Sequence, residues 1–222
     1  MTNRKEGLTF DIGISFDICP LSFGFFWVLG IGYWSFLLYT SPMSFARTLR
    51  KGAVEKGTIT QQNKFVLILD NVYDTFNVGG MYRVADAAGI QKIYHCGDTP
   101  LPIEKNVVNN KIARASVGLY QYISWEHQND TEQLIRMLKQ QGFTIIALEQ
   151  DARSIPFDQY TPTNSPIALI AGNETFGIDK QVVNKADVVV ELPMFGINKS
   201  VNVVVATGIV AYYIRRSLNH GM

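Results

Sequence analysis

The stretch FVLILDNVYDTFNVGGMYRVADAAGIQKIYHC occupies residues 65–96 and decides the fold class. It begins with an unbroken apolar run, Phe65 to Leu69, which predicts a buried strand. Apolar residues then recur at helical spacing from Met81 to Ala88, and Gly89 is a typical residue to end that helix. Lys92 to Cys96 predicts a second strand. Strand, helix and strand in this order form one βαβ unit.

The chain beyond this unit continues the same alternation after an irregular polar stretch that reaches Ser116. Strands are predicted at 143–148, 167–171 and 187–191, and helices at 131–141, 180–185 and 201–218. Alternating strands and helices predict an α/β domain with a mainly parallel sheet. We assign it to residues 63–219, and no second folded domain is predicted.

Composition and charge exclude several classes of protein. The 222 residues are 47% hydrophobic and 18% charged, so the chain is neither disordered nor collagen-like. The net charge of +1 gives no overall field for a polyanion, although a local basic patch would be enough to bind one. Cys19 and Cys96 are too far apart in sequence for a C-x-x-C motif, and His95, His127 and His220 lack metal-ligand spacing. We therefore predict no metal site, and a reducing compartment such as the cytoplasm fits.

The first 42 residues form an apolar extension for which the sequence allows three interpretations. Residues 18–46 carry no charge, which permits a membrane anchor by length and polarity. Met43 begins a polar, basic lead-in (43–62) that resembles the start of a soluble protein, so residues 1–42 could equally be over-extended translation. The third alternative is an apolar segment packed on the domain. We favour the over-extended start and do not favour membrane association.

Three polar, glycine-containing segments directly follow predicted strands, where ligands collect in parallel sheets. They are Asp70–Arg83, Ala171–Gly177 and Leu192–Asn202. Structural roles alone could explain some of their residues: Asn77 and Ser200 as helix caps, and Glu174 as an exposed turn residue or half of an ion pair. The sequence lacks the Rossmann, P-loop and α/β-hydrolase signatures at these places.

Together the segments resemble the three motifs of the TrmH (SpoU) branch of the SPOUT superfamily, which are RNA ribose 2′-O-methyltransferases. Mild departures are Val201, where Leu is usual, and Asn173 within the second motif. The matching positions are, in order, Asn77, Gly79, Arg83, Ala85, Ala87 and Gly89; Gly172, Glu174, Gly177 and Ile178; and Leu192 to Val203.

The resemblance implies a C-terminal trefoil knot, here over about residues 167–215, that forms the site for S-adenosylmethionine. The implied cofactor-binding residues are Gly172, Leu192, Met194, Ser200 and Val201.

The implied reaction methylates a ribose 2′-hydroxyl in structured RNA. Arg83 is the expected catalytic group. It acts either as a base or by orienting the phosphate and stabilising the developing alkoxide, and a guanidinium is a poor base near neutrality. Asn77, Glu174, Ser200 and Asn202 are expected to position Arg83 or the ribose.

The family also implies a homodimer with active sites built from both chains. Tyr212 and Tyr213 on the last helix are candidate contacts, and scattered cations are expected to hold RNA: Arg47, Arg50, Lys51, Lys105, Lys111 and Arg114. We favour tRNA over rRNA, because no N-terminal RNA-binding domain is visible in the sequence. The alternatives are a non-catalytic knotted RNA-binding protein and a membrane-tethered protein that uses residues 18–46.

Overall fold

A computed structural model describes residues 64–220. The apolar extension 1–42, the lead-in 43–62, the candidate span 18–46 and the cations Arg47, Arg50 and Lys51 lie outside the described residues. Within the described part, no helix combines the length and the apolar character needed to cross a membrane.

Strands and helices alternate along the described chain. The strands are β1 (Phe65–Asp70), β2 (Lys92–Cys96), β3 (Ile103–Glu104), β4 (Val107–Val108), β5 (Ser124–Gln128), β6 (Thr144–Leu148), β7 (Ile155–Pro156), β8 (Ile167–Ala171) and β9 (Val188–Glu191). The helices are α1 (Thr75–Ala88), α2 (Asn110–Ala115), α3 (Thr131–Gln140), α4 (Lys180–Lys185) and α5 (Val203–His220).

Seven of these strands form one sheet in the order β5-β2-β1-β8-β6-β9-β7. Every pairing in this sheet is parallel, so all carboxyl ends lie along one edge. β1 and β8 are neighbours near the centre of the sheet. From β1 the order continues to β2 and β5 on one side, and from β8 it continues to β6, β9 and β7 on the other. The mainly parallel α/β sheet predicted from the sequence is confirmed.

The sheet is buried on both faces because successive residues of β1 point to opposite sides. Phe65, Leu67 and Leu69 pack in one core with residues of α1, α2 and α5. Val66 and Ile68 pack in the other core with residues of α3 and α4. All six β1 residues are buried, which explains why this strand is an uninterrupted apolar run and does not alternate.

The irregular stretch before Ser116 contains more structure than the sequence predicted. It holds the hairpin β3–β4 and the helix α2, which Asn109 caps by accepting hydrogen bonds from the backbone of Lys111 and Ile112. The edge strands β5 and β7 were not predicted either.

The two helix caps proposed as structural alternatives were also wrong. Asp74, not Asn77, caps α1 through bonds from the backbone N–H groups of Phe76 and Asn77. Asn202, not Ser200, accepts from the backbone of Val204 at the start of α5.

Candidate functional site

All three motif segments line a single cleft at the carboxyl edge of the sheet. Its volume is about 860 Å³, which is within the range of ligand and cofactor sites. The segments bring eight of the nine sequence-predicted site residues to its wall: Asn77, Gly172, Glu174, Leu192, Met194, Ser200, Val201 and Asn202. The topology explains this, because the segments follow β1, β8 and β9, whose carboxyl ends share one edge.

A chain of hydrogen bonds joins one residue from each motif. Asn202 Nδ2 donates to Asn77 Oδ1 over 3.0 Å, and Asn77 Nδ2 donates to Glu174 Oε1 over 2.9 Å. Asn202 Oδ1 accepts from the backbone of Val204, so both amide groups have a fixed orientation. Residues about 100 positions apart in sequence thus form one polar unit.

The Glu174 carboxylate lies at the amino end of α1. It accepts hydrogen bonds from the backbone N–H groups of Tyr73 (3.3 Å) and Asp74 (3.2 Å) as well as from Asn77. An anion is favoured there by the helix dipole. Glu174 is an exposed turn residue, as one structural alternative expected, but it also binds three N–H donors. The ion-pair alternative is wrong for the described residues, where the partners of Glu174 are N–H groups.

The turn that presents Glu174 is held by Asn173. Its backbone exchanges two hydrogen bonds with Gly177, and its Oδ1 accepts from the backbone of Thr175 (2.8 Å) and Phe176 (3.0 Å). Its Nδ2 donates to the Asn71 carbonyl. Asn173, a mild departure from the motif, is therefore the residue that fixes the turn.

Gly172 permits the turn to close against the chain. A Cβ atom there would lie 2.6 Å from the Gly177 carbonyl carbon and from the Ile178 nitrogen, which is closer than real Cβ atoms come. Only glycine fits without moving the backbone, so the absence of a side chain at Gly172 lets the turn close.

The third segment is tied across the cleft to the residues after β6. Gln150 Nε2 donates to the Lys199 carbonyl over 2.7 Å, and Ser154 Oγ donates to Glu191. Ser200 is exposed beside this tie and makes no hydrogen bond within the part of the chain that the structure describes. Its hydroxyl is thus free to meet a ligand.

Arg83 is the exception among the predicted site residues. It lies on α1 and is exposed, and it does not line the cleft. Within residues 64–220 it has no hydrogen bond or ion pair. Its guanidinium remains available to another molecule.

The electrostatics of the cleft are one-sided. Four acidic residues line it: Asp74, Glu149, Glu174 and Glu191. No Lys, Arg or His from the described part of the chain lines it. Apolar side chains complete the wall, among them Leu148, Leu192, Met194 and Val201. An acidic and partly apolar lining suits a cationic organic molecule and repels a phosphate.

Sequence reasoning missed several residues of the cleft wall. Tyr73 lies within the first segment and Phe176 within the second, but neither was singled out, and Asp74 was noted without a role. Glu149 and Gln150 directly follow β6 in a segment that also resembles the family, although no role in the site was predicted for them.

Comparisons with known proteins agree with this arrangement. The family model described as the SpoU rRNA Methylase family matches residues 64–212. A tRNA (guanosine(18)-2′-O)-methyltransferase of Aquifex aeolicus is 30% identical over 156 residues, which are 70% of this chain and 71% of that protein. The 23S rRNA (guanosine(2553)-2′-O)-methyltransferase RlmP of Bacillus subtilis is 34% identical over 68% of this chain and 57% of its own length.

Solved structures share the fold. An AdoMet-bound rRNA methyltransferase from Sinorhizobium meliloti superposes with a TM-score of 0.65 at 30% identity, over 71% of this chain and 58% of that one. A TrmH/SpoU tRNA-modifying enzyme from A. aeolicus gives a TM-score of 0.60 at 29% identity, over 70% and 76% of the two chains. The chain thus spans little more than half of some relatives and about three quarters of others. By its motifs, its sheet and these matches, the chain belongs to the SpoU (TrmH) family of RNA 2′-O-methyltransferases.

Proposed function

We propose that this protein transfers a methyl group from S-adenosylmethionine to a ribose 2′-hydroxyl of structured RNA. The observation that carries the proposal is the Asn202–Asn77–Glu174 hydrogen-bond chain in the wall of an acidic cleft. Relatives named as tRNA and rRNA 2′-O-methyltransferases support the reaction class.

The cleft fits the cofactor by size and by charge. S-adenosylmethionine supplies an electrophilic methyl group on a positively charged sulfur. The carboxylates of Glu149 and Glu191 suit its cationic groups, and Leu192, Met194 and Val201 offer an apolar surface. Gly172 lines the same cleft and is the main-chain contact that the family resemblance implies. The AdoMet-bound relative supports the same cofactor.

Residues of this chain would hold the ribose for attack. In-line transfer needs the 2′-oxygen close to the methyl group and correctly oriented. Asn77 and Asn202 each keep one amide hydrogen beyond the bond they donate, and Ser200 has a free hydroxyl. These groups are placed to bind ribose hydroxyls, while Glu174 fixes the orientation of Asn77.

Arg83 would act from the other chain of a homodimer. The acidic cleft contains no cation from its own described chain to meet the RNA phosphate, and Arg83 is exposed outside it. The family implies sites built from two chains, so we assign the cation of each site to the partner's Arg83. A guanidinium there orients the phosphate and stabilises negative charge on the 2′-oxygen.

The first test is ligand binding followed by methyl transfer. Isothermal titration with S-adenosylmethionine, NAD and ATP should show binding of S-adenosylmethionine alone. Radiolabelled methyl transfer should then be measured on separate tRNA and rRNA fractions from cells that lack the protein, with 2′-O-methyl mapping of the product. We expect tRNA to be the acceptor. Heat on titration with NAD but none with S-adenosylmethionine would contradict the proposal. Labelling of rRNA alone would show that the substrate is rRNA and not tRNA.

A further inference from the structure

The side chain of Phe176 is 84% exposed although it lies in the wall of the cleft. It is two residues from Glu174, on the turn that Asn173 clamps. Because its backbone N–H is bonded to Asn173 Oδ1, the backbone that carries the ring is fixed on this turn. The turn therefore presents a large apolar ring to water in the wall of the cleft.

A second aromatic residue belongs to the same part of the wall. Tyr73 is 50% exposed, lines the cleft, and donates its backbone N–H to Glu174. Both aromatic residues thus line the same cleft as Glu174, the carboxylate that orients Asn77. Burying an exposed ring is favourable, so a ligand that covers Phe176 gains free energy from the contact.

The chemistry of this wall selects the ligand. Proteins recognise unpaired RNA nucleotides by stacking bases on aromatic rings, and this contact tolerates any base because every base has a flat face. A base is uncharged and is not repelled by Glu174, whereas a phosphate would be. The ring lines the same cleft as Asn77, which in the proposed reaction faces the ribose of the same nucleotide.

We propose that Phe176 is a positioning residue on which the base of the methylated nucleotide stacks, with Tyr73 as a second aromatic contact. This inference rests on the proposed function. Stacking would hold the base out of the RNA helix and so present its ribose to Asn77 and Ser200. The ring would therefore act on RNA and not on the cofactor.

The test compares kinetics of Phe176 variants on the RNA fraction that the wild-type protein methylates. Phe176→Ala should lower kcat/KM for RNA by about tenfold to 100-fold, which corresponds to about 1.4–2.8 kcal/mol. Phe176→Trp should retain most of the activity, and Phe176→Leu should not, because Leu is apolar but has no flat π face. The Kd for S-adenosylmethionine should stay within twofold in all three. Tyr122→Ala is the matched control, since Tyr122 is exposed and lies outside the cleft, and it should behave as wild type.

A second experiment removes the base from the RNA and leaves the protein unchanged. A synthetic hairpin that carries the mapped nucleotide is compared with the same hairpin abasic at that nucleotide. The abasic hairpin should slow the wild type at least as much as Phe176→Ala does, because it removes the Tyr73 contact as well, and Phe176→Ala should slow the abasic reaction no further. A weaker Kd for S-adenosylmethionine in Phe176→Ala, or unchanged RNA kinetics, would overturn the inference. A wild-type protein that methylates no RNA would instead overturn the proposed function.

Discussion

His95 is a buried histidine whose two ring nitrogens are both engaged. Nδ1 lies 2.9 Å from the Pro100 carbonyl, which can only accept, so Nδ1 carries the proton. Nε2 then accepts from the Tyr82 hydroxyl over 2.8 Å. Burial lowers the pKa of His95 to about 4, because the charged form loses its hydration.

This lowered pKa makes stability depend on pH in a defined window. Between about 4 and the ordinary 6.5, the unfolded chain binds a proton at His95 that the folded chain does not. The free energy of unfolding should therefore fall as the pH drops from 6.5 toward 4, by roughly 3 kcal/mol from this residue. Urea denaturation at several pH values measures it. His95→Gln should flatten the slope by about one proton. Equal slopes in wild type and His95→Gln would refute the assignment.

Glycine in the first motif sets how closely α1 packs against its neighbour. A Cβ atom on Gly79 would lie 2.4 Å from Ala115 Cβ and 3.0 Å from the Ser116 nitrogen. The missing side chain of Gly79 therefore lets the backbone at Ser116 approach α1 closely. Neither Ala115 Cβ nor the Ser116 nitrogen can rotate away, so a side chain at position 79 could be accommodated only if α1 shifted relative to α2.

We expect Gly79→Ala to destabilise the protein by about 1–3 kcal/mol through overpacking, although alanine favours helix. Gly208 on α5 is the control, because a Cβ atom there meets only Val84 Cγ2, at 3.7 Å. Gly208→Ala should raise stability by about 0.5–1 kcal/mol. Urea denaturation of both variants checks the pair, and a neutral Gly79→Ala would show that the α1–α2 contact is plastic.

The elements that could be predicted from sequence are those whose burial leaves a strong pattern. β1 and β8 are buried on both faces and appear as apolar runs, and the three motif segments follow strands of one parallel sheet. β5 was not predicted, because it is an edge strand with the polar sequence SWEHQ. The six-residue helix α2 is too short to show a period.

Side-chain partners within the site could not be predicted in the same way. That Asn77 lies between Glu174 and Asn202 depends on contacts about 100 residues apart, which no local pattern encodes. The position of Arg83 outside the cleft also follows from the rotation of α1 and not from its place in the motif. The trefoil knot over residues 167–215 stays a prediction, as do the domain bounds.

At the scale of the whole molecule, α5 carries an exposed apolar stripe. Val205, Ile209 and Tyr212 recur along it at helical spacing and are exposed. Tyr213 is not part of this stripe, contrary to expectation, because its hydroxyl donates to the Asp158 and Tyr160 carbonyls and its ring packs on Phe157. The stripe supports the proposed homodimer, and Ile209→Glu should shift the protein to monomers in sedimentation.

Mixing two inactive variants tests whether Arg83 acts across that dimer. Arg83→Ala and Glu174→Ala should each abolish methyl transfer, while Arg83→Ala leaves the Kd for S-adenosylmethionine within a few-fold. If Arg83 acts in trans, a heterodimer of the two has one intact site, and a randomly reassociated mixture should recover about one quarter of wild-type activity. Arg83→Lys mixed with Arg83→Ala is the negative control, because every site then lacks the guanidinium. If the mixture of Arg83→Ala and Glu174→Ala recovers no activity, Arg83 does not act across the dimer and must serve the site of its own chain.

The acidic lining of the cleft also bears on how the proposed enzyme would complete a cycle. Transfer of the methyl group turns the cofactor's charged sulfur into a neutral thioether. Carboxylates such as Glu149 and Glu191 attract the charged form more strongly than the neutral one. The same four acids that attract the fresh cofactor would hold the spent one less strongly, which favours its release after transfer.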